Sequence, residues 1–277
     1  MKNRLIKTLN IKRFKLVLLL EGLLVGILAG LVIVGYRICL TNGALWLQRI
    51  LAYCKQSIFT IIIWFVILFV IALVVTKLLD WESLISGSGI PQLEGELAGK
   101  IDAKWWRVLI AKFFGGFLAN FSGLALGREG PSIQLGAMVG KGIGKVLKRG
   151  KTEERYLLTC GASAGLAAAF HAPLAGVMFA LEEVHKHFSA PLLISVMTSS
   201  IAADYLMSSI LGMAPVFSFN IHGTLPTQYY WMVIILGIIL GLLGAFYNKA
   251  LLFVQSLYNH SKPVSYIHLT LPTTPYV

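Results

Sequence analysis

Along the chain, long apolar runs alternate with short polar connections. Runs long enough to cross a bilayer cover Leu16–Leu40, Ile58–Leu79, Val108–Leu126, Tyr156–Leu181, Leu192–Met213 and Trp231–Val254. A spanning helix needs about 20 such residues. Between the third and fourth runs, Pro131–Leu147 is Gly-rich and amphipathic, less apolar but still helix-length. Tyr156–Leu181 is too long, and too broken at Ala172-Pro173, for one straight helix; the pattern predicts a segment that enters the membrane and returns. Gly165, Gly176, Gly237, Gly241 and Gly244 predict close helix packing, because small residues let backbones touch where lipid removes the hydrophobic drive. The fold class that follows is all-α and polytopic.

Three Gly/Pro breaks interrupt this pattern: Ser86–Pro91, Gly127–Pro131 and His171–Pro173. Irregular backbone is tolerated at membrane depth only where protein buries it or where it lines an aqueous path. Such breaks leave half-helix ends near the midplane, where they can bind ions.

Composition agrees with the pattern: 57% of the 277 residues are hydrophobic and 13% charged, against about 45–50% and about 25% in soluble domains. Little length remains for a separate water-soluble enzyme domain. The net charge of +12 is concentrated in short connections. Lys2, Arg4, Lys7, Lys12, Arg13 and Lys15 precede the first run; Lys100, Lys104 and Arg107 form a second block, and Lys141, Lys145, Lys148, Arg149, Lys151 and Arg155 a third. Basic flanks stay on the cytoplasmic side, so the charge reads as topology, with the N-terminus inside, and not as a nucleic-acid surface. Loop 214–230 has no charged residue and fits the outside; Arg49 and Lys55 are mild exceptions. Residues 1–30 resemble a signal peptide at first, but the apolar run continues to Leu40 without a polar break. Cys39, Cys54 and Cys160 lack metal or redox spacing and read as small packed hydrophobes.

The candidate chemistry lies at the breaks. In Gly127-Arg128-Glu129-Gly130-Pro131, proline suits a helix's first position and the glycines leave amides open. With the positive end of the helix dipole, that makes an anion site. Arg128 and Gly130 belong to it, and Glu129 can fill it when charged and leave it when protonated. Ser86-Gly87-Ser88-Gly89-Ile90-Pro91 repeats the device, with Ser88, Gly89 and Ile90 at the start of a short helix ending near Gly99. Glu182 and Glu183 close the run Leu157–Leu181 before His185-Lys186-His187. Adjacent helical residues diverge by about 100°, so only one of them can serve a given path. Gly136–Lys141 is one residue short of a phosphate loop and lacks the following hydroxyl. Ser88 or Ser122 with His171 lacks a nucleophile context and a third partner; His171 reads as a residue that caps or packs at the break. No metal site or cofactor is expected.

Three stretches, Ser86–Gly95 (SGSGIPQLEG), Gly127–Gly136 (GREGPSIQLG) and Gly161–Glu183 (GASAGLAAAFHAPLAGVMFALEE), resemble the first half of the CLC chloride channel and transporter family. The resemblance implies an inverted-repeat fold with broken half-helices and a homodimer in which each subunit has its own anion path. It implies that Ser88 is the hydroxyl ligand of a central chloride, Glu129 the gating glutamate that also carries protons, and Glu183 the internal proton-transfer residue. A glutamate at 183 points to the chloride/proton antiporters over a passive channel, and Ser88, where fluoride exporters have Met, argues against that branch. His171 stands where many relatives have Asn.

On that reading, residues 1–15 are a cytoplasmic basic terminus and 16–213 the first repeat. Residues 214–261 are an outer loop and the first helix of the second repeat, and 262–277 a non-native or disordered tail. The family's second half would add a further glycine–proline helix start and a tyrosine hydroxyl to the anion site. The expectation is thus a truncated chain, and a non-transporting fragment is an alternative to transport. An intramembrane hydrolase is a distant one. The expected setting is a bacterial plasma membrane, with chloride, protons and lipid as partners.

Overall fold

The computed structural model describes residues 2–55, 57–186, 188–213 and 226–260. Most of the expected outer loop and all of the expected tail lie outside them. Among the described residues every regular element is helical.

The first helix, α1 (Lys2–Cys54), runs well beyond the apolar stretch Leu16–Leu40 on both sides. Nothing in the sequence stops it, since no proline occurs before Pro91. Ser57 opens α2 (Ile58–Trp81) by accepting from the Phe59 N–H, an ordinary N-cap. A short 3₁₀ turn, Ser83–Ile85, leads to α3 (Ile90–Leu97). Then come α4 (Trp105–Phe121), α5 (Glu129–Val146), α6 (Lys151–Phe170) and α7 (Pro173–Phe179). The chain continues through a π-helical turn, Ala180–His185, into α8 (Ala190–Leu211). The first of two compact units ends at Met213. In the second, a 3₁₀ turn at Thr227–Tyr229 opens α9 (Tyr230–His260).

All three breaks read from the sequence are breaks in the fold. The start of α5 differs from the expected one: the helix begins at Glu129, two residues before Pro131. Proline lacks only a donor that the first helical turn leaves unpaired, so it fits anywhere in that turn.

Two glycine seams hold the first unit together. On α1, Gly22, Gly26 and Gly30 recur every four residues and face Ser195, Ser199 and Ala203 of α8. A Cβ at Gly22 would lie 2.7 Å from the Ser195 carbonyl oxygen. On α5, Gly136 and Gly140 meet the backbone of α6 at Gly161 and Leu157, again with no room for a methyl group. The pattern is the small-residue approach of membrane helices. Around the seams Val25, Ile33, Leu157, Val196 and Met207 form one buried apolar cluster, and Leu93, Val108, Ile133 and Leu158 form another.

Four segments are long and apolar enough to cross a membrane: Lys15–Cys54, Ile58–Trp81, Ala190–Leu211 and Thr227–Val254. Phe59, Ile62, Phe65, Val66 and Phe69 of α2 are exposed, a surface that only an apolar medium covers without penalty. In contrast α5 and most of α6 are buried by their neighbours, which is how Gly-rich, weakly apolar helices can sit at membrane depth.

Candidate anion site at two helix starts

The starts of α3 and α5 meet. A Cβ on Gly130 would lie 2.7 Å from the Ser88 carbonyl oxygen and 2.9 Å from the Ser88 Cβ, so only glycine permits this approach. Gly89, the N-cap of α3, has φ of +90° and rests against the Gln134 side chain; both its backbone and its surroundings exclude a side chain. The Ser88 hydroxyl oxygen accepts from the Ile90 N–H at 3.3 Å, leaving its own proton to donate. The N–H groups of Gly87, Ser88 and Gly89 find no acceptor among the described residues. Successive free amides beside a helix N-terminus make an anion-binding concavity.

The four carbonyls leading into that loop, from Leu84 to Gly87, are all occupied. Gln134 Nε2 donates to Leu84 O at 2.8 Å, Lys112 Nζ to Ile85 O at 2.8 Å and Gly87 O at 2.6 Å, and Gln92 Nε2 to Ser86 O at 2.9 Å. Lys112 is 4% exposed and Gln134 2%. Each glutamine leaves its own Oε1 buried without a donor, at a cost of about 1–3 kcal/mol apiece. None of these three side chains stands out in the motif itself. Lys112 carried the one available signal, a charge inside the apolar run Val108–Leu126.

The start of α5 is held more lightly. The Ser132 N–H and hydroxyl both donate to Arg128 O, at 3.0 and 2.8 Å. Glu129 bends back, one carboxylate oxygen lying over Gly127 and the other 4.0 Å from Arg128 Nε. Both side chains remain partly exposed, at 36% and 28%. Glu129, the chain neighbour of Gly130, thus has no short hydrogen bond to hold its carboxylate among the described residues.

Glu182 and Glu183 lie apart from this pair, exposed on the π-helical turn. That turn packs on the flank of α3 through Val184 and Leu93, and Lys186 reaches Glu94 at 3.4 Å. No hydrogen bond or ion pair among the described residues joins Glu183 to Ser88 or Glu129. His171 does cap the break between α6 and α7, with φ of +55°. Arg37 Nη1 lies 3.0 Å from its Nε2. Because a guanidinium cannot accept, Nε2 must, so the ring proton is on Nδ1, facing Ser208 Oγ at 3.2 Å and Asp204 Oδ1 at 3.3 Å.

One member of the third basic block is not a surface charge at all. Lys141 is fully buried, where it pairs with Glu96, with Asp102 at 2.7 Å and with the Ala103 carbonyl at 2.7 Å. Two carboxylates and a carbonyl use all three ammonium protons. The cluster ties the far end of α3 to α5.

Residues 68–274 match the voltage gated chloride channel family. The chain is 34% identical over 255 residues to the H(+)/Cl(-) exchange transporter ClcA of Citrobacter koseri, covering 88% of this chain and 52% of that protein. It is 39% identical over 173 residues to the ClcA of Vibrio parahaemolyticus, covering 61% of this chain and 37% of that one. It thus spans about half the length of the curated relatives it matches. Among solved structures, that of a slow cyanobacterial Cl-/H+ antiporter superposes with a TM-score of 0.82 at 31% identity, over 91% of this chain and 61% of the other. A CLC-type fluoride/proton antiporter shares the fold at a TM-score of 0.67 and 23% identity, over 89% and 60% of the two chains. Together with the two glycine–proline helix starts, the match over residues 68–274 establishes that the chain belongs to the CLC, or voltage gated chloride channel, family.

Proposed function

We propose that the protein takes part in proton-coupled chloride exchange across a bacterial plasma membrane. The observation that carries this reading is the meeting of Ser88 with Gly130, which brings the free amides of one helix start against the start of the helix that carries Glu129. Chloride, stripped of part of its water, is held by the Gly87–Gly89 amides, the Ser88 hydroxyl, Ile90 at the α3 start, and Gly130 and Arg128 at the α5 start. Such donors replace water without reorganising. Glu129 competes for the same positive field when ionised and gives way when protonated, so anion entry and proton uptake become one event. Glu183, on its exposed turn, exchanges that proton with the cytoplasm. The N-terminus is cytoplasmic, by the basic flank of α1, and the working unit is a homodimer in lipid that needs no cofactor.

The exchange transporters among the relatives support coupling over passive conduction. Reconstituted in liposomes, the Glu129→Gln protein should keep chloride flux and lose proton movement. Proton transport equal to that of the parent would sink the reading.

A further inference from the structure

Four consecutive carbonyls, of Leu84, Ile85, Ser86 and Gly87, are each taken by a side-chain donor, and the donors come from three different helices. A planar trans peptide points its N–H opposite to its C=O. Fixing the Ser86 and Gly87 carbonyls therefore fixes the amides of Gly87 and Ser88 on the other side, where the anion site lies. Leu84 and Ile85 anchor the turn that precedes them.

The two glutamines show that the carbonyls, and not packing, dictate the arrangement. Each has a buried, partnerless Oε1. Turning either amide over would set its oxygen against a carbonyl oxygen, so the donor must face the loop although the acceptor is then orphaned. An aliphatic side chain would fill the same space without an orphaned oxygen. Gln134 also lies five residues beyond Glu129 on α5, so the helix that carries the gating carboxylate also grips the loop that presents the amides.

We propose that Gln134, Lys112 and Gln92 form a carbonyl clamp that sets the direction of the Gly87 and Ser88 amides, which makes Gln134 a positioning residue for anion recognition. This rests on the chloride reading of Ser88 above. Gln134 touches no anion; it acts through Leu84 and the turn that follows.

The test is chloride binding by calorimetry on the purified protein, with the Leu84 carbonyl followed by NMR after ¹³C-leucine/¹⁵N-isoleucine labelling. Gln134→Met keeps the length and removes the donor. It should shift the Leu84 carbonyl resonance and weaken chloride binding about tenfold. Gln134→Glu, whose protonated carboxyl can donate to Leu84, should restore binding at low pH and lose it as the carboxyl ionises. Taken as the ratio to the parent at each pH, which removes the effect of Glu129 common to both, this profile would be flat for a merely structural role. If the parent binds chloride and Gln134→Met binds it equally well, or leaves the Leu84 resonance in place, the clamp is overturned. A parent that binds no chloride would instead overturn the reading of the site itself.

Discussion

The starts of α3 and α5 use the same glycine–proline grammar but are held in opposite ways. The loop before α3 is gripped from three helices by buried donors, one of them a lysine. The turn at the start of α5 depends on its own Ser132, and its glutamate is half-exposed beside Arg128. A binding site gains by being fixed before the ion arrives, whereas a gate needs a side chain with more than one place to go. On the proposed reading the difference separates the two tasks: the α3 start presents donors already in place, and the Glu129 side chain at the α5 start is left free to change position.

The largest effect should come from Lys112→Met. It orphans the carbonyls of Ile85 and Gly87 together, each worth about 1–3 kcal/mol when buried and unpaired. Unfolding free energy in mixed micelles should fall accordingly, while Ser132→Ala at the other start should cost less than about 1 kcal/mol. Equal losses would erase the asymmetry. Gly130→Ala strikes where the two starts touch. Its new methyl would meet Ser88, and with the α3 loop clamped, α5 has to yield. Overpacking of this kind costs about 1–3 kcal/mol, and proton transport should drop more than chloride binding. The reverse order, measured on one preparation, would make α3 the yielding side.

The smallest effect concerns the far end of α3. The hydrogen bond from Lys141 holds the Asp102 carboxyl below the usual carboxylate range. A carboxyl lowered in the folded state contributes stability above its unfolded value, about 3.9, and loses it as pH falls through the lower folded one. Acid below about pH 4 should therefore loosen this end slightly, the Asp102 side chain being 83% exposed. Asp102→Asn should remove that component from the pH dependence of unfolding, and an unchanged acid limb would count against it.

Much of this was legible in the sequence for a simple reason: membrane helices and their breaks follow from apolar length and from glycine and proline. The spans in α2 and α8 and the interruptions at Ser86–Pro91, Gly127–Pro131 and His171–Pro173 are all of that kind. So is the family, through its three motifs. The clamp was not legible. Its acceptors are backbone carbonyls, which every residue carries, and its donors lie 6 to 50 positions away. Lys141 was misleading for a related reason. It stands in a run of basic residues, and only its neighbours in space, Glu96 and Asp102, make it an interior residue. Nor did the end of the apolar run at Leu40 mark the end of α1, because polar residues without proline or a capping break continue a helix readily.

Lys141 also bears on how the chain is assembled. A lysine carried into the membrane without a partner opposes insertion. Its partners Glu96 and Asp102 lie 45 and 39 residues upstream, and a ribosome makes them first. When α5 emerges, the carboxylates that neutralise its buried charge already exist. The order of synthesis thus supplies the counter-charge before the charge, and a rearranged chain with α5 ahead of α3 would have to insert its lysine bare.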